Sequence, residues 1–142
     1  MIDYRFVREQ IKADSQRYEI REIGYDPWNA ELLCNQQLGQ EDSFEVIEVR
    51  QTMPSLGPPT AEFEKLMQAS RLWHGGHPIL AWMAGHCAVR RDDNDIIMPS
   101  KGHSTARIDG IVAAIIGLSR AMFQEPVRRS VYETRGPIEL EW

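Results

Sequence analysis

Two aspartates occupy settings from which chemistry can be built. Asp26 lies in "REIGYDPWNA" (residues 21–30) and Asp109 in "TARIDGIVAAII" (105–116). Asp26 closes a β-favouring run, so it stands where a strand gives way to a helix. Open α/β sheets bind ligands at that end of their strands. Asp-Pro is also a good helix start, because the carboxylate accepts from free amides and Pro27 gives up a donor that has no partner there. Read locally, the cap is the stronger description. Asp109 falls in a helix otherwise rich in Ile, Val and Ala, where a carboxylate faces desolvation unless it is paired or binds a metal. Its alternatives are a place favoured by the positive end of the helix or exposure to solvent. The two residues are 109 − 26 = 83 positions apart, so only the fold can join them. Joined and ionised, they would attract divalent cations. Mg²⁺ prefers oxygen ligands and keeps waters, and paired metals can clamp the attacking and leaving oxygens of a phosphodiester.

The elements that must position them follow from periodicity. Residues 3–17 predict a helix with Tyr4, Val7 and Ile11 on one side. Residues 18–25, "YEIREIGY", predict a strand, and 27–38 a helix. "SFEVIEVR" (43–50) is the clearest strand, with Phe44 and Val46 on one face and Ile47 and Val49 on the other, as suits a strand covered on both sides. A loop then leads into a helix from about Pro58 to Arg71, where Phe63, Leu66, Met67 and Ser70 share a face. Prolines are tolerable in a first turn and nowhere deeper. "PILAWMAG" predicts a short helix, "HCAVRR" and "DIIM" short strands about an acidic turn, and "PSKGHST" a polar loop. Residues 105–123 predict a long helix with Ile108, Ile111, Val112, Ile115 and Met122 on its core side, capped by Ser104 or Thr105. From Gln124 the chain reads as a loose tail, so the domain is expected over 1–124 and the tail over 125–142.

Strands alternating with helices give an α/β class with parallel pairing. Two parallel strands make a poor sheet on their own. The minor strands complete it, or the chain is a piece of a larger domain; the second is the expectation adopted.

The 142 residues suit one domain, and no apolar run is long enough to cross a membrane, which leaves a cytoplasmic setting as the default. Cys34 and Cys87 follow no disulfide or metal spacing and are expected to be reduced and partly buried. The net charge of −5 argues against bulk attraction to nucleic acid. It is unevenly spread: residues 1–70 carry 7 − 13 = −6 and residues 71–142 carry 9 − 8 = +1, so local basic ground exists around Arg90, Arg91, Lys101 and Arg107.

The stretches "IREIGYDPWNA", "SLGPPTAEFEKLMQASRLWHGGHPILAWMAGHCAVRRDDN" and "KGHSTARIDGIVAAIIGLSRAM" resemble, in that order, the C-terminal nuclease domain of the large terminase subunit of tailed phages. The likeness runs from about residue 1 to "SVYETRG" and is far more specific than any single motif. It implies an RNase H-like (retroviral integrase-like) fold with a few-stranded sheet flanked by helices. It also implies Mg²⁺- or Mn²⁺-dependent endonucleolytic cutting of concatemeric double-stranded DNA during genome packaging in the bacterial cell. The acid of "YDPWN" corresponds to Asp26 and that of "IDGIVA" to Asp109, as catalytic residues and metal ligands. The terminase small subunit and the portal are the implied partners. The family fold opens with three antiparallel strands, the first carrying another essential Asp, and an ATPase precedes them. Asp3 and Asp14 lie in a predicted helix and are poor substitutes for that acid, and no G-x-x-x-x-G-K-[ST] is present. The chain therefore reads as a truncated nuclease domain with part of the acid cluster. The competing expectation is a non-catalytic prophage remnant, or a module for assembly or DNA binding. An edge at residues 18–25 without a neighbour would invite a homo-oligomer.

Other signals rank lower. His74, His77, His86, Cys87 and His103 lack zinc spacing. Trp73 and Trp82, beside apolar helices, are expected in the core. Lys101, His103 and Arg107 fall close to Asp109 and could meet a phosphate backbone, although a polar loop with a cation near an acid describes them as well.

Overall fold

The structure, a computed structural model, describes residues 3–28 and 30–123; the expected tail at 125–142 lies outside them. Helix α1 spans Tyr4–Ser15. Asp3 is its N-cap, its carboxylate accepting from the Arg5 amide at 3.0 Å, which gives that acid a structural task. Tyr4, Arg8 and Ile11, at helical spacing, form its inward side, while Val7 is exposed.

Strand β1 is only Ile23–Tyr25, the last third of the predicted run. After it the chain turns, and Leu32–Glu41 winds as a π-helix rather than the α-helix expected over 27–38. The Asp42 amide reaches back five residues to the Gln37 carbonyl at 3.0 Å. The wider turn stacks Leu33 and Leu38, five apart, and buries both with Cys34. Two acids crowd the C-terminal end of this helix, where the dipole disfavours them. Arg8 of α1 offsets this by pairing with Glu41 (2.9 Å) and Asp42 (2.6 Å).

Strand β2, Val46–Glu48, pairs parallel to β1 in the register Ile23↔Val46, Gly24↔Ile47, Tyr25↔Glu48. Phe44 and Val46 pack on a cluster of Tyr25, Leu33, Cys34 and Leu38, whereas Val49 joins a second cluster with Leu56, Met98, Val112 and Ile116. The strand is thus covered on both faces, as its apolar residues required. Among the described residues β2 is the sole partner of β1, and residues 18–22 form no strand.

Helix α2 is Met53–Gln68, starting five residues before the predicted Pro58. Thr52 caps it, its hydroxyl accepting from the Ser55 amide at 3.4 Å. Pro58 and Pro59 therefore lie inside the helix, contrary to the expectation that they stand in its first turn. Packing outweighs the lost backbone bonds here: Leu56, Gly57, Pro59 and Thr60 are all buried. Gly57 is required by close approach, since a Cβ there would stand 2.3 Å from Ile96 Cγ2. These residues, with Phe63, form the buried side; Met67 and Ser70 are exposed.

Helix α3, Pro78–Gly85, matches its prediction. Strands β3 (Val89–Arg91) and β4 (Ile97–Pro99) form an antiparallel hairpin about the acidic turn. Helix α4 is Asp109–Phe123, with Ile111, Val112, Ile115 and Ile116 buried, Met122 half-exposed, and Ile108 buried just before its first turn. It starts four residues later than expected because Ser104 is engaged elsewhere. Its hydroxyl donates to the Ser100 carbonyl (2.7 Å) and accepts from the Ala88 amide (3.0 Å), tying the preceding loop to the hairpin rather than capping the helix. The result is three layers: α1 and the π-helix, the two-stranded sheet, and α2 with α4.

Both cysteines are free, Cys34 buried and Cys87 partly so, and burial raises both thiol pKa values. Trp73 and Trp82 are not core residues: Trp73 is 96% exposed and Trp82 50%, because the turn at 71–77 projects outward and α3 shows one side to solvent. No described helix is long and apolar enough to cross a membrane.

Candidate functional site

Asp26 is the first residue past β1. The buried Tyr25 before it, its hydroxyl pKa raised chiefly by burial, anchors the strand end. Asp26 Oδ1 accepts from the Trp28 amide at 3.2 Å, closing the turn that Pro27 begins. Asp26 Oδ2 accepts from the Gln51 side-chain amide. One oxygen therefore closes a turn and does not cap a helix as Asp-Pro led us to expect, since the next helix begins only at Leu32 with Glu31 before it. The other oxygen is oriented by a residue from the segment after β2. Gln51 carried no signal of its own in the sequence. It does lie just beyond the end of the clearest strand, and parallel pairing brings the ends of β1 and β2 to one side.

Asp109 is the first residue of α4, not one or two turns inside it. It lies off the buried stripe and its carboxylate is 57% exposed, so the expected desolvation does not arise. Lys101 Nζ sits 3.0 Å from Asp109 Oδ1, across an open recess of about 440 Å³ that also involves Ser104 and Arg107. Lys101 and Arg107 are thus gathered with Asp109. His103 bonds the Ser100 hydroxyl through Nδ1 at 2.7 Å and stiffens the loop; it does not line the recess. Asp26 does not line it either.

Strand β1 packs against α4: Glu22 accepts from Arg120 Nε at 2.6 Å, and Gly24 lies against Ile116 and Arg120. Asp26 follows the end of that strand and Asp109 opens that helix, so the two acids sit on elements in contact.

The donor chemistry suits a hard cation. Both acids offer oxygens, and an ammonium already stands on Asp109 as a cation of the protein's own. Among the described residues, no three or more His, Cys, Asp or Glu gather at one point. Mg²⁺ commonly binds through one or two carboxylates and takes the rest of its shell from water and substrate phosphates, so two acids fit such a metal without filling its coordination.

Residues 1–125 match the family described as "Terminase large subunit, endonuclease domain". The chain is 30% identical over 126 residues to Protein YmfN of Escherichia coli (strain K12), covering 87% of this chain and 27% of that protein. It is 28% identical over 120 residues to the terminase large subunit of Enterobacteria phage HK97, covering 84% and 24%. The crystal structure of the HK97 bacteriophage large terminase superimposes with a TM-score of 0.76 at 27% identity, covering 84% of this chain and 25% of that one. The chain spans about a quarter of the length of these relatives. The architecture is accordingly the RNase H-like α/β arrangement, a small sheet flanked by helices.

Proposed function

Because this chain belongs to the endonuclease-domain family of the terminase large subunit, we propose that residues 1–124 act in divalent-metal-dependent cleavage of concatemeric double-stranded DNA during phage genome packaging. Asp26 and Asp109 would hold Mg²⁺ or Mn²⁺. What supports this reading is the family match over residues 1–125, together with Asp26 at the end of β1 and Asp109 at the start of α4, two elements that pack on each other. A metal between them would supply an activated water and neutralise charge on the phosphate. The chain's own groups do the rest. Gln51 and the Trp28 amide orient the Asp26 carboxylate, and Lys101, His103 and Arg107 offer positive charge or hydrogen bonds to the DNA backbone. The portal, the small subunit and a second copy of the chain are the proposed partners, in the cytoplasm of the bacterial host.

A second reading, a non-catalytic prophage remnant or a module for assembly or DNA binding, is favoured by the Lys101 ammonium paired with Asp109 and by Arg107 on the same recess, which make that ground basic. Plasmid cleavage in Mn²⁺ separates the two. The nuclease reading expects nicking that Asp26→Asn and Asp109→Asn each abolish while DNA binding persists. Full cleavage by Asp109→Asn refutes it. Binding of DNA with no cutting, and no rise in melting temperature with Mn²⁺, selects the second reading, because a ligand that binds only the native state must stabilise it.

A further inference from the structure

The ion pair on Asp109 has no structural task assigned to it so far. Lys101 comes from the loop between β4 and α4, and its ammonium stands 3.0 Å from Asp109 Oδ1. The loop itself is held by Ser100–His103, Ser104–Ser100 and Ser104–Ala88 hydrogen bonds, so the lysine is presented to Asp109 by an ordered backbone. Both side chains are about half exposed, 52% for Lys101 and 57% for Asp109. An exposed pair of this kind is weak and easily opened. Arg107 lines the same recess and makes no ion pair among the described residues, so positive charge remains there when Lys101 moves away.

We propose that Lys101 is the resident counter-ion of Asp109: it occupies the carboxylate in the metal-free protein, must be displaced by a divalent cation, and so sets how tightly that cation binds. This rests on the reading of Asp109 as a metal ligand. The physics is competition for one carboxylate. The ammonium at hydrogen-bond distance occupies Oδ1 and so denies a metal bidentate binding. A divalent ion on either oxygen would stand close enough to repel the ammonium, with an energy that rises as separation falls. Repulsion therefore drives Lys101 off as the metal loads. Its four-carbon stem lets the ammonium swing to other acceptors on the recess, of which an incoming phosphodiester is the best matched in charge. Lys101 is in this sense a positioning residue with two stations, Asp109 before loading and the substrate backbone after it.

Mn²⁺ binding to the whole chain, followed by electron paramagnetic resonance of the free ion without DNA, tests this apart from any cleavage. Lys101→Met removes the competitor and should tighten Mn²⁺ binding about two- to fivefold, the range set by the modest strength of exposed ion pairs. Lys101→Gln should behave alike, and Lys101→Arg, which keeps the charge, should stay within about twofold of the parent. Asp109→Asn should weaken binding sharply. Unchanged or weaker Mn²⁺ affinity in both Lys101→Met and Lys101→Gln, with Asp109→Asn still weakened, overturns the counter-ion role and leaves the metal-ligand reading intact. Unchanged affinity in Asp109→Asn overturns both. Lys101 is exposed, so its variants should melt with the parent, and thermal unfolding verifies that the affinities compare folded proteins.

Discussion

Gly24→Ala tests the contact between β1, which ends before Asp26, and α4, which Asp109 opens. Gly24 sits in the middle of β1, and a Cβ there would lie 2.8 Å from Ile116 Cγ2, 3.3 Å from Arg120 Cγ and 3.6 Å from Val49 Cγ2. Carbon atoms prefer separations of about 3.5–4.0 Å, so the first contact lacks roughly 1 Å. Ile116 is 7% exposed and packed among Val49, Val112 and Ile115, so it cannot yield alone; α4 must move off the strand. Overpacking of this order costs about 1–3 kcal/mol. Alanine returns about 0.5–1 kcal/mol by restricting the unfolded chain and suiting a strand better than glycine. The clash wins, leaving a net loss of ~1–2 kcal/mol and a melting temperature lower by roughly 3–10 °C. The neighbouring Arg120–Glu22 pair would be strained in the same movement. On the proposed nuclease reading, Mn²⁺-dependent cleavage should fall further than stability does, since a misplacement of ~1 Å between reacting groups can cost about 100-fold. Differential scanning calorimetry and a plasmid-nicking assay read the two effects. Ile116→Ala in the same chain should relieve the clash, so the double variant should lose less than the sum of the two singles. If Gly24→Ala melts at or above the parent and cuts as well, β1 and α4 do not meet as described.

Two further outcomes test the layers that hold the site. Leu38, fully buried in the π-helix, should cost about 2–5 kcal/mol on truncation to alanine, measured by urea unfolding; a loss below ~1 kcal/mol would mean the π-helix is not packed on the sheet. Arg8 hydrogen-bonds Asp42, and with the nearby charges of Arg8 and Lys12 it holds the Asp42 carboxyl below its ordinary value. That stabilisation is complete above about pH 4, the ordinary carboxylate range, and is lost as pH falls through the lowered native value. As pH falls below about 4, the melting temperature of the parent should therefore drop more steeply than that of Asp42→Asn, and parallel curves would exclude this linkage.

Sequence alone went furthest where one local force dominated. The apolar period of residues 108–115 is strong enough to fix which side of α4 is buried, and the two-faced apolar pattern of "SFEVIEVR" correctly required cover above and below β2. Asp-Pro marked the end of β1 correctly, but Asp26 closes a turn instead of capping the helix expected from Pro27, because that helix starts only at Leu32. Where packing across layers outvoted local preference, the sequence misled. Pro58 and Pro59 remain inside α2 because buried contact along Leu56–Thr60 outweighs the missing amide bonds. Leu32–Glu41 winds wide because that places Leu33 and Leu38 together against the sheet. Ser104 abandons the cap for the hairpin.

The chain order thus determined which residue types were available: two acids in specific motifs, a basic loop before the last helix, and apolar faces for a three-layer α/β fold. What only the tertiary structure decided was who meets whom. Gln51 reaches Asp26, Lys101 reaches Asp109, Glu22 reaches Arg120, and Gly24 lies against Ile116. Periodicity records which side of an element is apolar, but not which other element will meet it. How closely β1 approaches α4 depends on the room that Gly24 leaves for Ile116, a property of two surfaces in contact and not of either segment alone.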